Sequence, residues 1–218
     1  MSSDSPEIRE ALERLDAITR RLRRECPWDR EQDERTIVPH TVEEAYELAD
    51  AAERRDDRKL LDELGDVLFQ VHFLALLLEE RGAGDLRGVA EGVTEKLIRR
   101  HPHIFGDVQA DTAGEVLRNW DQIKRAEAGY GDIPENLPST IYARKVQRRS
   151  GIEPQADMRA RVAALAAAEG RDERFEALGE LMFELVAVAR KLGVDPELAL
   201  RAAADRARTS ATCEDARP

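Results

Sequence analysis

The chain of 218 residues has little cysteine and few aromatic residues. Its two cysteines, Cys26 and Cys213, form no CxxC pair, which argues against both a disulfide framework and a thiolate metal site. No stretch reaches the roughly 18 uncharged apolar residues of a membrane span, and the N-terminus lacks the basic and apolar regions of a signal peptide. We therefore expect a protein of the reducing cytoplasm, with no membrane contact.

A basic surface is also missing, because the formal net charge is −11. Proteins that bind nucleic acid stably gain most of their affinity by neutralising phosphates with lysine and arginine. The composition therefore excludes general nucleic-acid binding. An anionic substrate would have to be met locally, by a metal ion or by a few basic side chains.

Strong helix formers dominate the chain, which predicts an all-α protein. Amphipathic stripes and capping signals predict helices over residues 6–24, 41–54, 57–80, 86–100 and 112–128. Ser5 is the expected cap of the first helix. Thr41, followed by Glu44, has the capping-box spacing that begins the second, and Asp57 caps the third.

A weak internal repeat predicts the domain organisation. Leu178-Gly179-Glu180 aligns with Leu64-Gly65-Asp66, and the apolar positions that follow match as well. In this register Met158 and Arg161 stand where Glu44 and Glu47 should fall, so the second copy has lost its acids. We expect a first unit over 1–130, a linker over 131–138, and a shortened, degenerate helical repeat over 139–218.

Two pairs of carboxylates form the candidate site. Glu44 and Glu47 are three residues apart on one predicted helix, and Glu63 and Asp66 repeat that spacing on the next. A short connection makes the two helices antiparallel, so the four carboxylates can converge. Oxygen donors suit a hard cation such as Mg²⁺, whereas zinc would usually bring histidine or cysteine. Gly65 between the acids leaves room for a ligand or another backbone.

Simpler interpretations of the same residues stay open. Glu44 could serve only in the capping box, and Glu43 and Glu47 could be solvated charges near a helix N-terminus. Lys96 and Arg100 share a helical face that suits a phosphate, or they form a solvated basic turn. Trp120 could stack on a base, with Lys124 one turn later, or pack in a core.

Taken together, the motifs resemble the MazG family of nucleoside triphosphate pyrophosphohydrolases over about residues 15–147. The resemblance rests on the following segments: Cys26-Pro27-Trp28-Asp29 with Gln32, Thr41-Val42-Glu43-Glu44-Ala45-Tyr46-Glu47, Glu63-Leu64-Gly65-Asp66-Val67-Leu68-Phe69-Gln70, Lys96-Leu97-Ile98-Arg99-Arg100-His101-Pro102-His103-Ile104-Phe105, Trp120 with Ile123-Lys124, and Leu137-Pro138 leading to Ala143, Lys145 and Gln147.

The resemblance implies a MazG-like four-helix-type bundle that forms a homodimer. It implies hydrolysis of nucleoside or deoxynucleoside triphosphates between the α- and β-phosphates, which cleans the nucleotide pool and depends on Mg²⁺, with Mn²⁺ able to substitute. The implied metal ligands are Glu44, Glu47, Glu63 and Asp66, and the implied substrate contacts are Lys96, Arg100, Trp120 and Lys124. Glu43, or one of the ligands, is the expected proton acceptor in catalysis.

Two alternatives are left by the sequence. One is a narrow enzyme for dUTP, dCTP or a damaged nucleotide, with the same fold and chemistry. The other is a non-catalytic helical module that binds nucleotides or a partner, as the degenerate repeat suggests. A di-iron carboxylate bundle is set aside, because it needs Glu-x-x-His pairs and no histidine here follows a glutamate at that spacing.

Overall fold

The computed structural model describes residues 6–127, 133–155 and 157–215, without the side chains of 211–215. Every regular element in these ranges is a helix, so the predicted all-α fold is confirmed. The helices are α1 (Pro6–Glu25), α2 (Pro27–Glu31), α3 (Glu34–Arg54), α4 (Asp57–Glu80), α5 (Leu86–Arg100), α6 (Pro102–Phe105), α7 (Ala113–Ala126), α8 (Ser139–Ser150), α9 (Met158–Ala167), α10 (Gly170–Lys191) and α11 (Pro196–Asp215).

The chain divides into two compact units, Met1–Ala128 and Gly129–Pro218. Part of the predicted linker, residues 131–132, lies outside the described residues, as does Ser5. Residues 133–138 contain no helix, and α8 begins at Ser139. None of the helices that the structure describes is long and apolar enough to cross a membrane.

The first unit is built on the hairpin of α3 and α4. Arg55 joins them with a left-handed backbone (φ 55°), and its N–H bonds back to the carbonyls of Ala51 and Ala52. Asp56 then caps α4 by accepting from the N–H of Lys59. Because the turn is so short, the two helices pack side by side and antiparallel. This arrangement sets α3 and α4 in register for the site.

A small apolar core packs the start of α3 against the C-terminal half of α4. Ile37 of α3 and Phe73 and Leu77 of α4 are buried against one another, with Phe69 and Leu74 beside them. The core lies towards the C-terminal end of α4. The N-terminal half of α4 is therefore left to carry polar groups.

Two arginines attach α1 to the end of α4. Arg20 donates to both carboxylate oxygens of Glu79 (2.9 and 2.6 Å), and Arg23 does the same to Glu80 (2.9 and 2.8 Å). Arg23 also donates to the carbonyls of Asp29 and Gln32, which holds the α2 region in place. Such forked pairs fix orientation better than single ion pairs do.

Two local predictions were wrong. The second predicted helix begins at Glu34 rather than near Thr41, because Asp33 and Thr36 form a capping box eight residues before Thr41 and the helix runs through Pro39. Thr41 therefore lies inside α3, where its hydroxyl donates to the carbonyl of Ile37 (3.3 Å). Asp56 rather than Asp57 caps α4.

In the second unit, α10 packs against α8 and α9, and α11 packs against α8 and α10. The amide of Gln147, fully buried on α8, donates to the carbonyl of Phe183 (2.6 Å). The carboxylate of Glu184 accepts from the N–H of Gln155 (2.6 Å). These bonds tie the start of the unit to the middle of α10, which supplies the buried residues Val186 and Ala187.

Candidate metal and phosphate site

Three carboxylates from α3 and α4 converge in the first unit. Glu44, Glu63 and Asp66 each offer an oxygen, and these oxygens all lie within 4.8 Å of one another. Glu63 is buried, Glu44 is partly buried and Asp66 is exposed. One ligand therefore sits at the bottom of the cluster and one at its mouth. We call these three residues the carboxylate triad.

The fourth predicted ligand, Glu47, lies next to the triad without belonging to it. Its carboxylate is 3.9 Å from the ammonium nitrogen of Lys59. Lys59 also lies 3.9 Å from Asp50 and 3.7 Å from Glu63. Asp50 also accepts a hydrogen bond from Arg54 (2.7 Å). The contacts of Lys59 with Glu47 and Glu63 are long, so they compensate the negative charge of these two carboxylates only in part.

Sequence analysis did not identify Lys59, whose ammonium nitrogen lies 3.7 Å from the carboxylate of Glu63. The signal was present, because Lys59 precedes Glu63 by four residues on the same helix and so shares its face. Arg58 lies five residues before Glu63 and does not have this spacing.

Burial and mutual repulsion raise the pKa of two members of the triad. For Glu44 the main cause is desolvation, followed by the charges of Asp66, Glu47 and Glu63. For Glu63 the main cause is again desolvation, followed by Glu47, while Lys59 acts in the opposite direction. A cation bound beside such a carboxylate stabilises its ionised form, because it replaces the solvent that burial has removed. A set of three carboxylate oxygens suits a hard divalent cation.

An open groove of about 730 Å³ runs along α4 beside the triad. The residues that line it are Asp56, Arg58, Lys59, Leu61, Asp62, Gly65 and Asp66. A Cβ added at Gly65 would meet no protein atom within 4 Å. Among the residues that the structure describes, no other backbone packs on Gly65, and the space beside it is open to a ligand.

Glu43, the predicted proton acceptor, is exposed on α3. Its carboxylate lies 3.8 Å from Nδ1 of His40. The His40 ring in turn makes an edge contact with Trp28 (centroids 5.9 Å apart). Glu43 is thus next to the triad in sequence but lies outside the group of oxygens that it forms.

The predicted substrate contacts form a second group on α5 and α7. The guanidinium carbon of Arg100 lies 5.2 Å from the centre of the Trp120 ring, and the ammonium nitrogen of Lys124 lies 4.9 Å from it. Lys96 is exposed on α5, one turn before Arg100. The structure therefore brings together three of the four residues around one aromatic ring.

Glu127, at the C-terminal cap of α7, is a member of this group that sequence analysis missed. It accepts hydrogen bonds from Arg99 (3.1 and 2.7 Å) and from Arg100, whose Nε lies 3.2 Å away. The two guanidinium groups lower the pKa of Glu127 to about 2. No sequence signal could identify this contact, because it depends on how α7 packs on α5.

The second unit lacks a comparable triad among its described residues. Glu180, which aligns with Asp66, is ion-paired with Arg161, which aligns with Glu47. The remaining acid of the predicted repeat is thus neutralised by an arginine. A site of the first unit's kind would need a free carboxylate at that position.

Comparison with known proteins identifies the family. Residues 32–105 match the MazG nucleotide pyrophosphohydrolase domain. The chain is 38% identical over 223 residues to the nucleoside triphosphate pyrophosphohydrolase of Escherichia coli, which covers 89% of this chain and 83% of that protein. The chain belongs to the MazG family. The predicted family and the predicted enzyme class, a nucleoside triphosphate pyrophosphohydrolase, are confirmed.

Two further relatives come from Thermotoga maritima. A nucleoside triphosphate pyrophosphohydrolase/pyrophosphatase MazG is 36% identical over 209 residues, with 88% of this chain and 80% of the relative covered. The crystal structure of a mazG-related protein matches 52% of this chain and 98% of its own, with 28% identity and a TM-score of 0.46.

Proposed function

We propose that this MazG-family chain hydrolyses nucleoside and deoxynucleoside triphosphates to the monophosphate and pyrophosphate, using Mg²⁺ at the carboxylate triad. The observation that carries the proposal is the convergence of Glu44, Glu63 and Asp66 within 4.8 Å. The curated relatives support the reaction class, since they are named nucleoside triphosphate pyrophosphohydrolases. Clearance of unwanted nucleotides from the cytoplasmic pool is the corresponding role.

In this proposal the triad binds the metal, and Glu47 completes the ligand set by moving away from Lys59. Mg²⁺, when bound, supplies charge neutralisation between carboxylates and phosphates and lowers the pKa of a coordinated water. Mn²⁺ would occupy the same oxygen ligands. Glu43 accepts the proton of the attacking water, for which its exposed carboxylate and its long contact with His40 leave it available.

The group around Trp120 holds the rest of the substrate. Lys96 and Arg100 bind the leaving pyrophosphate, because a guanidinium matches phosphate oxygens in the same forked geometry as a carboxylate. Trp120 stacks on the base, and Lys124 contacts a phosphate. Contacts between Arg100, Lys124 and Trp120 keep the two cations near the ring.

We also propose that the chain acts as a homodimer. One face of α4 carries large apolar side chains at helical spacing that this chain leaves exposed, with Leu61 at 74%, Leu64 at 50% and Leu68 at 38% of full exposure. A continuous stripe of this kind is costly in water and is typical of a surface that another subunit covers.

The second unit is proposed to be a degenerate copy without catalysis. The pairing of Glu180 with Arg161 at positions that align with Asp66 and Glu47 supports this interpretation. The first unit would then carry all the chemistry, and the second would contribute stability or a surface.

The test is a product analysis with each of the eight common nucleoside and deoxynucleoside triphosphates, Mg²⁺ and ¹⁸O-labelled water. Anion-exchange chromatography should show monophosphate and pyrophosphate, with the label in the monophosphate if water attacks the α-phosphorus. A diphosphate product, or label in orthophosphate released directly from the nucleotide, would contradict the proposal. Product nucleotides are the better readout, since one relative is also named a pyrophosphatase.

A further inference from the structure

The carboxylate of Glu127 occupies donors that a phosphate group would use. It accepts from both guanidinium groups of the sequential pair Arg99 and Arg100, with both of its oxygens engaged. Arginine forks bind carboxylates and phosphates with closely similar geometry. A bound pyrophosphate and the Glu127 side chain therefore cannot both hold the same donors of Arg100.

The contact is the least exposed ion pair of this group. The side chain of Arg100 is 15% exposed and that of Glu127 is 20% exposed, whereas Arg99 is 53% exposed. Partial burial strengthens the attraction relative to a surface pair. Removal of Arg100 from this carboxylate therefore costs free energy unless another anion takes its place.

Arg100 does not depend on Glu127 alone for its position. Its guanidinium carbon also lies 5.2 Å from the centre of the Trp120 ring, and this cation–π contact does not involve Glu127. If Glu127 moved away, the aromatic ring would still hold the cation near its present place. The Trp120 ring therefore helps to position Arg100, while the Glu127 carboxylate accepts its hydrogen bonds.

Glu127 is well placed to leave. It caps the C-terminal end of α7, where its N–H makes a long bond to the carbonyl of Lys124 (3.3 Å) and its backbone is already extended (φ −77°, ψ 146°). No intrahelical bond of α7 has to break when this side chain rotates. An anion exchange at Arg100 would therefore need only a local change.

From these contacts we infer that Glu127 is an internal stand-in for phosphate, which must be displaced from Arg99 and Arg100 when the pyrophosphate moiety of substrate or product binds. The inference rests on the proposed function and adds a residue that regulates its phosphate affinity. Glu127 weakens the binding of phosphate groups and thereby favours release of pyrophosphate. It does not touch the reacting atoms and is not a catalytic residue.

The experiment measures binding of methylenediphosphonate, a pyrophosphate analogue that cannot be hydrolysed, by calorimetry with the full chain and Mg²⁺. Glu127→Gln should lower the Kd by about tenfold relative to wild type, which is the effect of removing one competing charge-assisted contact. Glu127→Ala should shift the Kd in the same direction, because it removes the competing side chain altogether.

The matched control is Glu91→Gln, which neutralises a glutamate paired with Arg87 on the same helix, α5. It should leave the Kd unchanged. An equal shift in Glu91→Gln would overturn the inference in favour of a net-charge effect. An unchanged or raised Kd in both Glu127 variants, at unchanged melting temperature, would show that Glu127 only braces Arg100.

Failure of the proposed function gives a different result. It would appear in the product analysis as nucleotides other than the monophosphate, whereas the calorimetric comparison requires no turnover. Steady-state inhibition by pyrophosphate is a second measurement. If Glu127 only held Arg100 in position, its replacement would not strengthen this inhibition. Inhibition of Glu127→Gln should be stronger than that of wild type by the same factor as the Kd.

Discussion

Lys59 and Glu63 lie one turn apart on α4, with the ammonium nitrogen 3.7 Å from the carboxylate oxygen. Lys59 faces Glu47 and Asp50 as well, each at 3.9 Å. It is therefore the resident cation at the edge of the carboxylate triad. A divalent ion at the triad would be repelled by this lysine and would take over its role as counter-charge.

Replacing Lys59 by methionine should separate these two effects. We expect metal affinity to rise by a few-fold, because a repulsive positive charge is lost, and the metal-free protein to melt earlier, because Glu63 loses its counter-charge. The measurement is thermal unfolding with and without Mg²⁺. Lys191→Met, a change of the same type in α10, is the control and should alter neither quantity. A smaller Mg²⁺-induced shift in Lys59→Met would contradict this account.

Glu63→Gln keeps the shape of the buried side chain but removes its charge. Hydrolysis of the best nucleotide should fall by more than about 100-fold in kcat/KM, since a lost metal ligand removes several kcal/mol of transition-state stabilisation. Glu53→Gln, on the exposed side of α3, is the control and should retain activity. Steady-state kinetics with monophosphate detection would test this. Activity of Glu63→Gln close to that of wild type would remove Glu63 from the metal site.

The raised pKa of Glu44 and of Glu63 gives a pH dependence with a definite sign. A carboxyl group whose pKa is higher in the folded state than its ordinary 4.5 favours folding when it is protonated, and this contribution is lost as pH rises through the folded pKa. Without metal, Glu63→Gln should therefore become more stable relative to wild type as pH increases above about 4.5, until Glu63 is fully ionised in the folded protein.

The difference between the two proteins isolates this effect from other carboxylates. Arg20 and Arg23 lower the pKa values of Glu79 and Glu80, so the contribution of these two glutamates to folding is lost as pH falls. Wild type and Glu63→Gln share this contribution, and it cancels in the difference. Thermal unfolding in a chelating buffer gives the difference at each pH. Saturating Mg²⁺ should reverse its sign at pH 8. If the difference in stability does not change with pH, ionisation of Glu63 does not destabilise the folded protein, which would contradict this account.

The homodimer prediction can be tested on the exposed stripe of α4. Leu64→Glu places a charge in the middle of that stripe and should shift the protein from dimer to monomer in sedimentation velocity, because an unpaired charge is costly in an apolar interface. Leu192→Glu is the control, since Leu192 is also exposed (72%) but lies at the end of α10. A dimer that persists in Leu64→Glu would place the interface elsewhere.

The helices and the carboxylates were predictable because they depend on local spacing. Residues 86–100 were predicted as one helix with the observed bounds, and the two acidic pairs fell on adjacent helices as expected. The start of α3 was predicted wrongly because the sequence contains two capping-box patterns, one at Asp33 and one at Thr41. The helix begins at the first of these, and Pro39, which has no N–H, costs it one backbone hydrogen bond.

The parts that could not be predicted depend on packing between helices. The triad contains Glu44 but not Glu47, although both have the correct spacing, and the carboxylate of Glu47 lies 3.9 Å from Lys59. The contact of Glu127 with Arg99 and Arg100 joins residues 27 and 28 positions apart, and nothing in the local pattern indicates it. Such pairings are fixed by tertiary contacts that a periodicity argument does not include.

The most direct test of the metal site compares two aligned acids, Asp66 in the first unit and Glu180 in the second. Binding of Mn²⁺ to the full chain can be followed by the loss of the free-ion signal in electron paramagnetic resonance. We predict that Asp66→Asn weakens Mn²⁺ binding by more than about tenfold, whereas Glu180→Gln binds as wild type does. Equal binding by wild type and both variants would contradict the assignment of a divalent-metal site to Glu44, Glu63 and Asp66.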